Sequence, residues 1–91
     1  MMKVFRRIPG REWELIEIEN TLEALQKEVD GYIEAVTIAK DACLICNEEG
    51  LFLPLEPQEF MGYTFKGTIL IVGVDGEEFC DVRPEWKEML G

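Results

Sequence analysis

The chain has 91 residues, 47% of them hydrophobic and 31% charged, which excludes two independent domains and a disordered chain. Its formal net charge of −10 argues against direct binding to nucleic acid or to an anionic membrane surface. It contains neither histidine nor serine, which removes the usual general base, the Ser-His triad and the commonest metal ligand.

The charge is unevenly placed. Lys3, Arg6, Arg7 and Arg11 precede the first acid, and from Glu12 onward 19 acidic residues stand against five basic ones. No run of 18 apolar residues occurs, so no membrane span is expected. Met1 to Arg7 lacks the apolar stretch of a secretory leader. Three cysteines without such a leader predict reduced thiols and a cytoplasmic setting.

In chain order, Met2 to Ile8 and Glu12 to Ile18 read as two strands of a hairpin closed by Pro9-Gly10-Arg11. The register that pairs opposite charges sets Lys3 against Glu17, Val4 against Ile16, Phe5 against Leu15 and Arg6 against Glu14. Asn20-Thr21-Leu22-Glu23 predicts a helix start, with Asn20 as the cap and Glu23 reaching back. Leu22, Leu25 and Val29 form its apolar stripe, and Gly31 suits the left-handed position that ends it. The helix is expected over Thr21 to Asp30.

Tyr32 to Ala39 and Ala42 to Asn47 read as an antiparallel pair, followed by a turn over Asn47-Glu48-Glu49-Gly50. Leu51 to Leu55 reads as a short extended piece kept to an edge by Pro54, and Glu56 to Thr64 as an irregular loop. Gly67 to Val74 is the most apolar run and predicts a central strand covered on both faces. Asp75-Gly76 turns it into a short return over Glu77 to Cys80. Asp81 is the expected cap of a short C-terminal helix with Trp86, Met89 and Leu90 on its inner face. Together these predict one α+β domain over residues 1–91, with a mainly antiparallel sheet of about five strands, one helix on a face and a short terminal helix.

Ile18-Glu19-Asn20-Thr21-Leu22-Glu23-Ala24-Leu25-Gln26, then Gly31-Tyr32-Ile33-Glu34, Asn47-Glu48-Glu49-Gly50 and Gly67-Thr68-Ile69-Leu70-Ile71-Val72-Gly73 follow one another here. This order resembles a family of small uncharacterised domains from Gram-positive bacteria, their phages and mobile elements. The resemblance runs roughly from Met2 to Asp81 and leaves out the Pro84-Glu85-Trp86 segment. It implies a cytoplasmic, mobile-element setting and supplies no catalytic residues.

Four features have a chemical reading. Cys43-Leu44-Ile45-Cys46 has C-x-x-C spacing, but residues three apart on a strand point to opposite faces, so the thiols should diverge. Cys80 adds one more sulfur, which leaves a structural zinc site incomplete. The acid pairs Glu48-Glu49 and Glu77-Glu78 flank turn glycines, where side chains face water. The basic first strand is expected to pair with the acidic second one, with Arg7 near Trp13 in a cation–π arrangement.

No catalytic, cofactor or metal residue is therefore assigned. The first functional expectation is a non-catalytic protein-interaction or regulatory module. Its partner is another protein, its expected surface is Glu12, Glu14, Glu17, Glu19, Glu48 and Glu49, and a shared edge strand would make a homodimer. The second is an acidic imitation of DNA, since a duplex carries about one negative charge per ~1.7 Å. The third is a small enzyme working through Cys43, Cys46 or Cys80.

Overall fold

A computed structural model describes residues 1–90. Its strands are β1 (Met2–Arg7), β2 (Glu14–Ile18), β3 (Ile33–Ala39), β4 (Ala42–Asn47), β5 (Pro57–Phe60), β6 (Tyr63–Lys66), β7 (Ile69–Asp75) and β8 (Glu78–Cys80). Its helices are α1 (Leu22–Val29) and α2 (Trp86–Leu90). The main sheet runs β2-β1-β7-β4-β3, and β8 makes a sixth strand on β7; β5 and β6 form a separate two-stranded sheet. All these pairings are antiparallel.

The first hairpin takes the register expected from charge and apolar pairing, from Lys3 opposite Glu17 to Arg6 opposite Glu14. Arg6 reaches further than that pairing requires. It meets Glu14 on β2 at 3.1 Å and Glu28 on α1 at 2.7 Å, so one guanidinium ties the hairpin to the helix. The connection is longer than three residues. Arg11 N–H bonds the Ile8 carbonyl at 2.9 Å, with Gly10 at φ 82°, and Trp13 leaves the strand to pack on the opposite face of the sheet.

β7 is the centre, as its unbroken apolar run requires. Leu70 and Val72 face α1 together with Met2, Val4, Leu25, Val29, Cys43 and Ile45. Ile69 and Ile71 face the other way, towards Phe5, Ala42, Leu44, Cys46, Val82 and Trp86. That second face is covered by Phe60 and Phe65 of the small sheet, by Trp13 and by α2. β1 and β8 share one edge of β7 end to end, and Gly73 stands between Ala42 and Cys80.

Several local expectations are corrected. Thr21, not Asn20, caps α1, accepting the Ala24 N–H at 3.1 Å; the Asn20 amide instead donates to the Phe79 carbonyl. Asp30 (φ 61°) takes the left-handed position assigned to Gly31. Gly31 is needed for a different reason, because a Cβ there would lie 2.8 Å from Asn47 Nδ2. Leu22 is exposed, and Ala24 packs in its place beside Leu25 and Val29. Gly50–Phe52 forms a 3₁₀ turn where an extended piece was expected. The segment read as irregular, Glu56 to Thr64, holds β5 and the start of β6. Asp81 does not cap α2; its carboxylate accepts the Lys3 backbone N–H at 2.8 Å, and Val82 N–H bonds the Lys3 carbonyl. Met89 faces outward, whereas buried Trp86 and partly buried Leu90 pack α2 onto the sheet as expected.

Candidate interaction surface

The thiols are placed as strand alternation requires. Cys43 packs under α1 and Cys46 packs on the opposite face with Leu44 and Ile69, so the pair cannot converge on one ion or one disulfide. Burial, followed by the Glu34 carboxylate, pushes the Cys46 thiol up to about 11. Cys80 is also raised, by burial first and then by the carboxylates of Asp75, Asp81 and Asp41. A raised thiol holds less of the nucleophilic thiolate. Among the described residues, no group of three His, Cys, Asp or Glu side chains is placed to hold a metal.

This geometry sets an expected result. Iodoacetamide at pH 8 should leave Cys43 and Cys46 unmodified in the native protein for as long as β4 stays closed, which mass spectrometry checks. Cys46 also makes stability depend on alkaline pH. Its folded form keeps the proton while the unfolded thiol, near 8.5, loses it, so the folded state binds more protons. The contribution is complete below about 8.5 and is lost as pH rises towards about 11. The urea midpoint should therefore fall across that window, and Cys46→Ala should flatten the fall.

The six glutamates of the expected surface do not form one patch. Glu12, Glu17 and Glu19 are exposed along the β2 edge, and Glu14 there is half-buried in its ion pair with Arg6. Glu48 and Glu49 are exposed at the end of β4, with β1 and β7 between them and β2. Glu77 and Glu78 are exposed too.

Arg7 is engaged inside the molecule. Its guanidinium lies 5.2 Å from the Trp13 ring centre and 5.8 Å from that of Phe60, and it donates to the Gln58 side chain and the Glu59 carbonyl. Buried Gln58 in turn donates to the carbonyls of Arg7 (3.0 Å) and Gly67 (2.7 Å). These bonds lock the β5–β6 hairpin onto the sheet. Beside them runs a groove of about 540 Å³, between the first hairpin's loop and α2, where Arg11 and Lys87 stand with Glu12 and Glu14. Its floor includes Trp13, whose Nε1 is buried without an acceptor.

A more apolar surface lies beside the β5–β6 hairpin. A cleft of about 380 Å³ separates β3 from the hairpin and is lined by Val36, Ile38, Leu44, Phe60, Met61, Tyr63 and Phe65, with Thr37 at its rim. Met61 and Tyr63 are 56% and 69% exposed. Met61 and Gly62 connect β5 to β6 with φ of 52° and 80°, the pattern of a type I′ turn. Such a turn favours Asn, Asp or Gly in its first central position, whereas methionine there is uncommon and mildly strained. The apolar side chain at the tip thus has neither burial nor backbone preference to explain it. The alternation Tyr63-Thr64-Phe65 beside Gly62 is the sequence signal that marks this strand.

A family model described as Domain of unknown function (DUF3846) matches residues 2–91. The chain belongs to that family. The DUF3846 match runs past Asp81 and includes α2, which the sequence resemblance had left outside, so the Trp86 anchor lies within the span common to the family model. Neither the curated proteins nor the solved structures give a match to this DUF3846 chain. Among the described residues, no helix is long and apolar enough to cross a membrane.

Proposed function

We propose that this DUF3846 domain is a non-catalytic protein-interaction module of the cytoplasm, in the phage and mobile-element setting that its sequence resembles, and that it makes contact through the cleft between β3 and the β5–β6 hairpin. The observation that carries this reading is the exposed apolar tip, Met61 and Tyr63, on a hairpin that the Arg7–Gln58 bonds tie to the sheet, although neither side chain contributes to the core. Contiguous exposed apolar surface of this kind marks contact sites. Cys43 and Cys46 are buried and divergent, and burial raises the pKa of Cys46, which favours contact over thiol chemistry. The three free cysteines fit a reducing compartment.

The test is a comparison of native protein with the variant Met61→Lys/Tyr63→Lys as baits in host lysate, at low and at high salt. The native bait should retain a protein at both salt concentrations, because the contact is apolar, and the variant should lose it. Equal retention by the two baits would contradict the reading.

A second reading has one observation in its favour. The fold sets exposed Glu12, Glu17 and Glu19 along one edge, and a row of carboxylates can imitate a phosphate strand. It requires salt-sensitive binding to a basic protein in competition with duplex DNA, and the Glu17→Gln/Glu19→Gln variant should weaken that binding.

A further inference from the structure

We infer that the groove between the first hairpin's loop and α2 is a binding site for a small organic anion with a flat apolar body. The site is independent of the cleft beside β3, with which it shares no lining residue. Three of the chain's nine bases line the groove, each from a different element: Arg7 from β1, Arg11 from the loop and Lys87 from α2. The acids there are Glu12 and Glu14, and Arg6 already holds Glu14. A chain of net charge −10 thus gathers an excess of positive charge in one concave place.

Arg7 points most directly to an anion. It is half-buried, and among the described residues no carboxylate pairs with it. Its bonds to the Gln58 side chain and the Glu59 carbonyl use two of the five guanidinium N–H groups. Trp13 and Phe60 lie against it, and aromatic rings attract a cation without neutralising it. What this guanidinium lacks is the planar two-oxygen acceptor that it fits best, a carboxylate or a phosphate. Arg11 and Lys87 are exposed and also make no ion pair among the described residues.

The apolar part of the ligand follows from the walls. Trp13 and Leu15 line the hairpin side, and Pro84 and Leu90 line the α2 side. The volume of about 540 Å³ suits a small molecule and not a folded partner. Glu12 in the groove, with Glu17 and Glu19 along β2, repels a polyanion and so selects one small charged group over nucleic acid. The ligand class is therefore an aromatic carboxylate or phosphate monoester, its head among Arg7, Arg11 and Lys87 and its ring between the two apolar walls.

The experiment titrates the isotope-labelled native protein with naphthoate, naphthyl phosphate, naphthalenemethanol and inorganic phosphate, each to about 5 mM, and reads amide and indole chemical shifts. At least one naphthyl anion should move the Trp13 indole and Arg11 amide signals saturably, and the tighter of the two identifies the head group. The uncharged alcohol and inorganic phosphate should each bind about tenfold more weakly than that anion, because each lacks one half of the recognition. Arg11→Gln/Lys87→Gln should weaken the anion about tenfold while circular dichroism stays native, since both side chains are exposed. Glu12→Gln should strengthen it about threefold, a gain that a merely structural role for Glu12 would not produce. Met61→Lys/Tyr63→Lys, altered only at the cleft, should bind no more weakly than the native chain. The inference is overturned if neither anion gives a saturable shift, if the alcohol or inorganic phosphate binds as well as the anion, or if the Arg11 and Lys87 variant binds unchanged. Loss of binding in the cleft variant overturns it too, because the probe would then occupy the contact surface.

Discussion

Gly73→Ala should destabilise the fold by about 3 kcal/mol or more, enough to leave a substantial unfolded fraction in a small domain. The reason is contact with backbone. A Cβ at residue 73 would lie 2.1 Å from the Asp81 carbonyl oxygen and 3.0 Å from that of Cys80. Neither oxygen can rotate away as a side chain would. Cys80 is fixed by its pairing with Gly73, and the Asp81 region is tied to β1 through Lys3. Relief would have to come from separating β8 from β7, which would also disturb Val82 and Trp86 on the second face. Urea unfolding followed by tryptophan fluorescence gives the measurement. An alanine variant within 1 kcal/mol of the native protein, on the scale where most point substitutions fall, would show that β8 is not docked against Gly73.

Asn47→Ala should cost about 2–3 kcal/mol, from the loss of several buried hydrogen bonds at once. Asn47 is one of the two buried polar residues of the described chain, and its side chain sits where α1 ends. Nδ2 donates to the carbonyls of Val29 (2.9 Å) and Asp30 (3.3 Å), and Oδ1 accepts the Glu49 N–H at 2.8 Å. A helix leaves its last carbonyls without intrahelical donors, and this amide supplies a donor from a strand 18 residues away. Alanine would strand all three backbone groups. Asn47→Asp is the sharper variant, because it keeps the Glu49 bond and replaces the donor with an acceptor facing two carbonyls. It should be at least as destabilising as alanine. Hydrogen exchange would localise the loss, with faster exchange at the C-terminal turn of α1. Unchanged exchange there would mean that the amide does not close the helix.

Those two positions show what could be read from sequence and what could not. Asn47 was legible as a turn residue, since Asn-Glu-Glu-Gly is turn chemistry, and its Oδ1–Glu49 bond is that turn. Its bonds to α1 depend on where β4 lies relative to the helix, which no local pattern contains. The same holds for Gly31, whose spacing suggested a left-handed residue; Asp30 takes that conformation, and Gly31 is present to admit the Asn47 amide. The two hairpins differ in the same way. Complementary charges on Lys3, Arg6, Glu14 and Glu17 pinned the first in register, and Pro9-Gly10 marked its turn. The β5–β6 hairpin was hidden because Met61 occupies the place where Asn or Gly would have announced a type I′ turn. The contact surface was therefore missed together with the strand that carries it. Alternation, by contrast, placed Cys43 and Cys46 on opposite faces, and an unbroken apolar run placed β7 at the centre.

The expected acidic surface illustrates a further limit. Counting glutamates shows how much charge faces water but not where it gathers, and the fold divides the six residues between the β2 edge and the end of β4. Acids on β2 do have a physical consequence, since they blunt one edge of the sheet. The other edge, beside the apolar tip, is left open for contact.

The most direct measurement is the footprint of a protein retained from host lysate on the amide chemical shifts of the isotope-labelled native protein. Contact through the cleft predicts changes confined to Val36, Thr37, Ile38, Met61 and Tyr63 and their neighbours, with the groove near Arg11 and Lys87 unmoved. Spectra that do not move, or that move at the groove and not at the cleft, would contradict it.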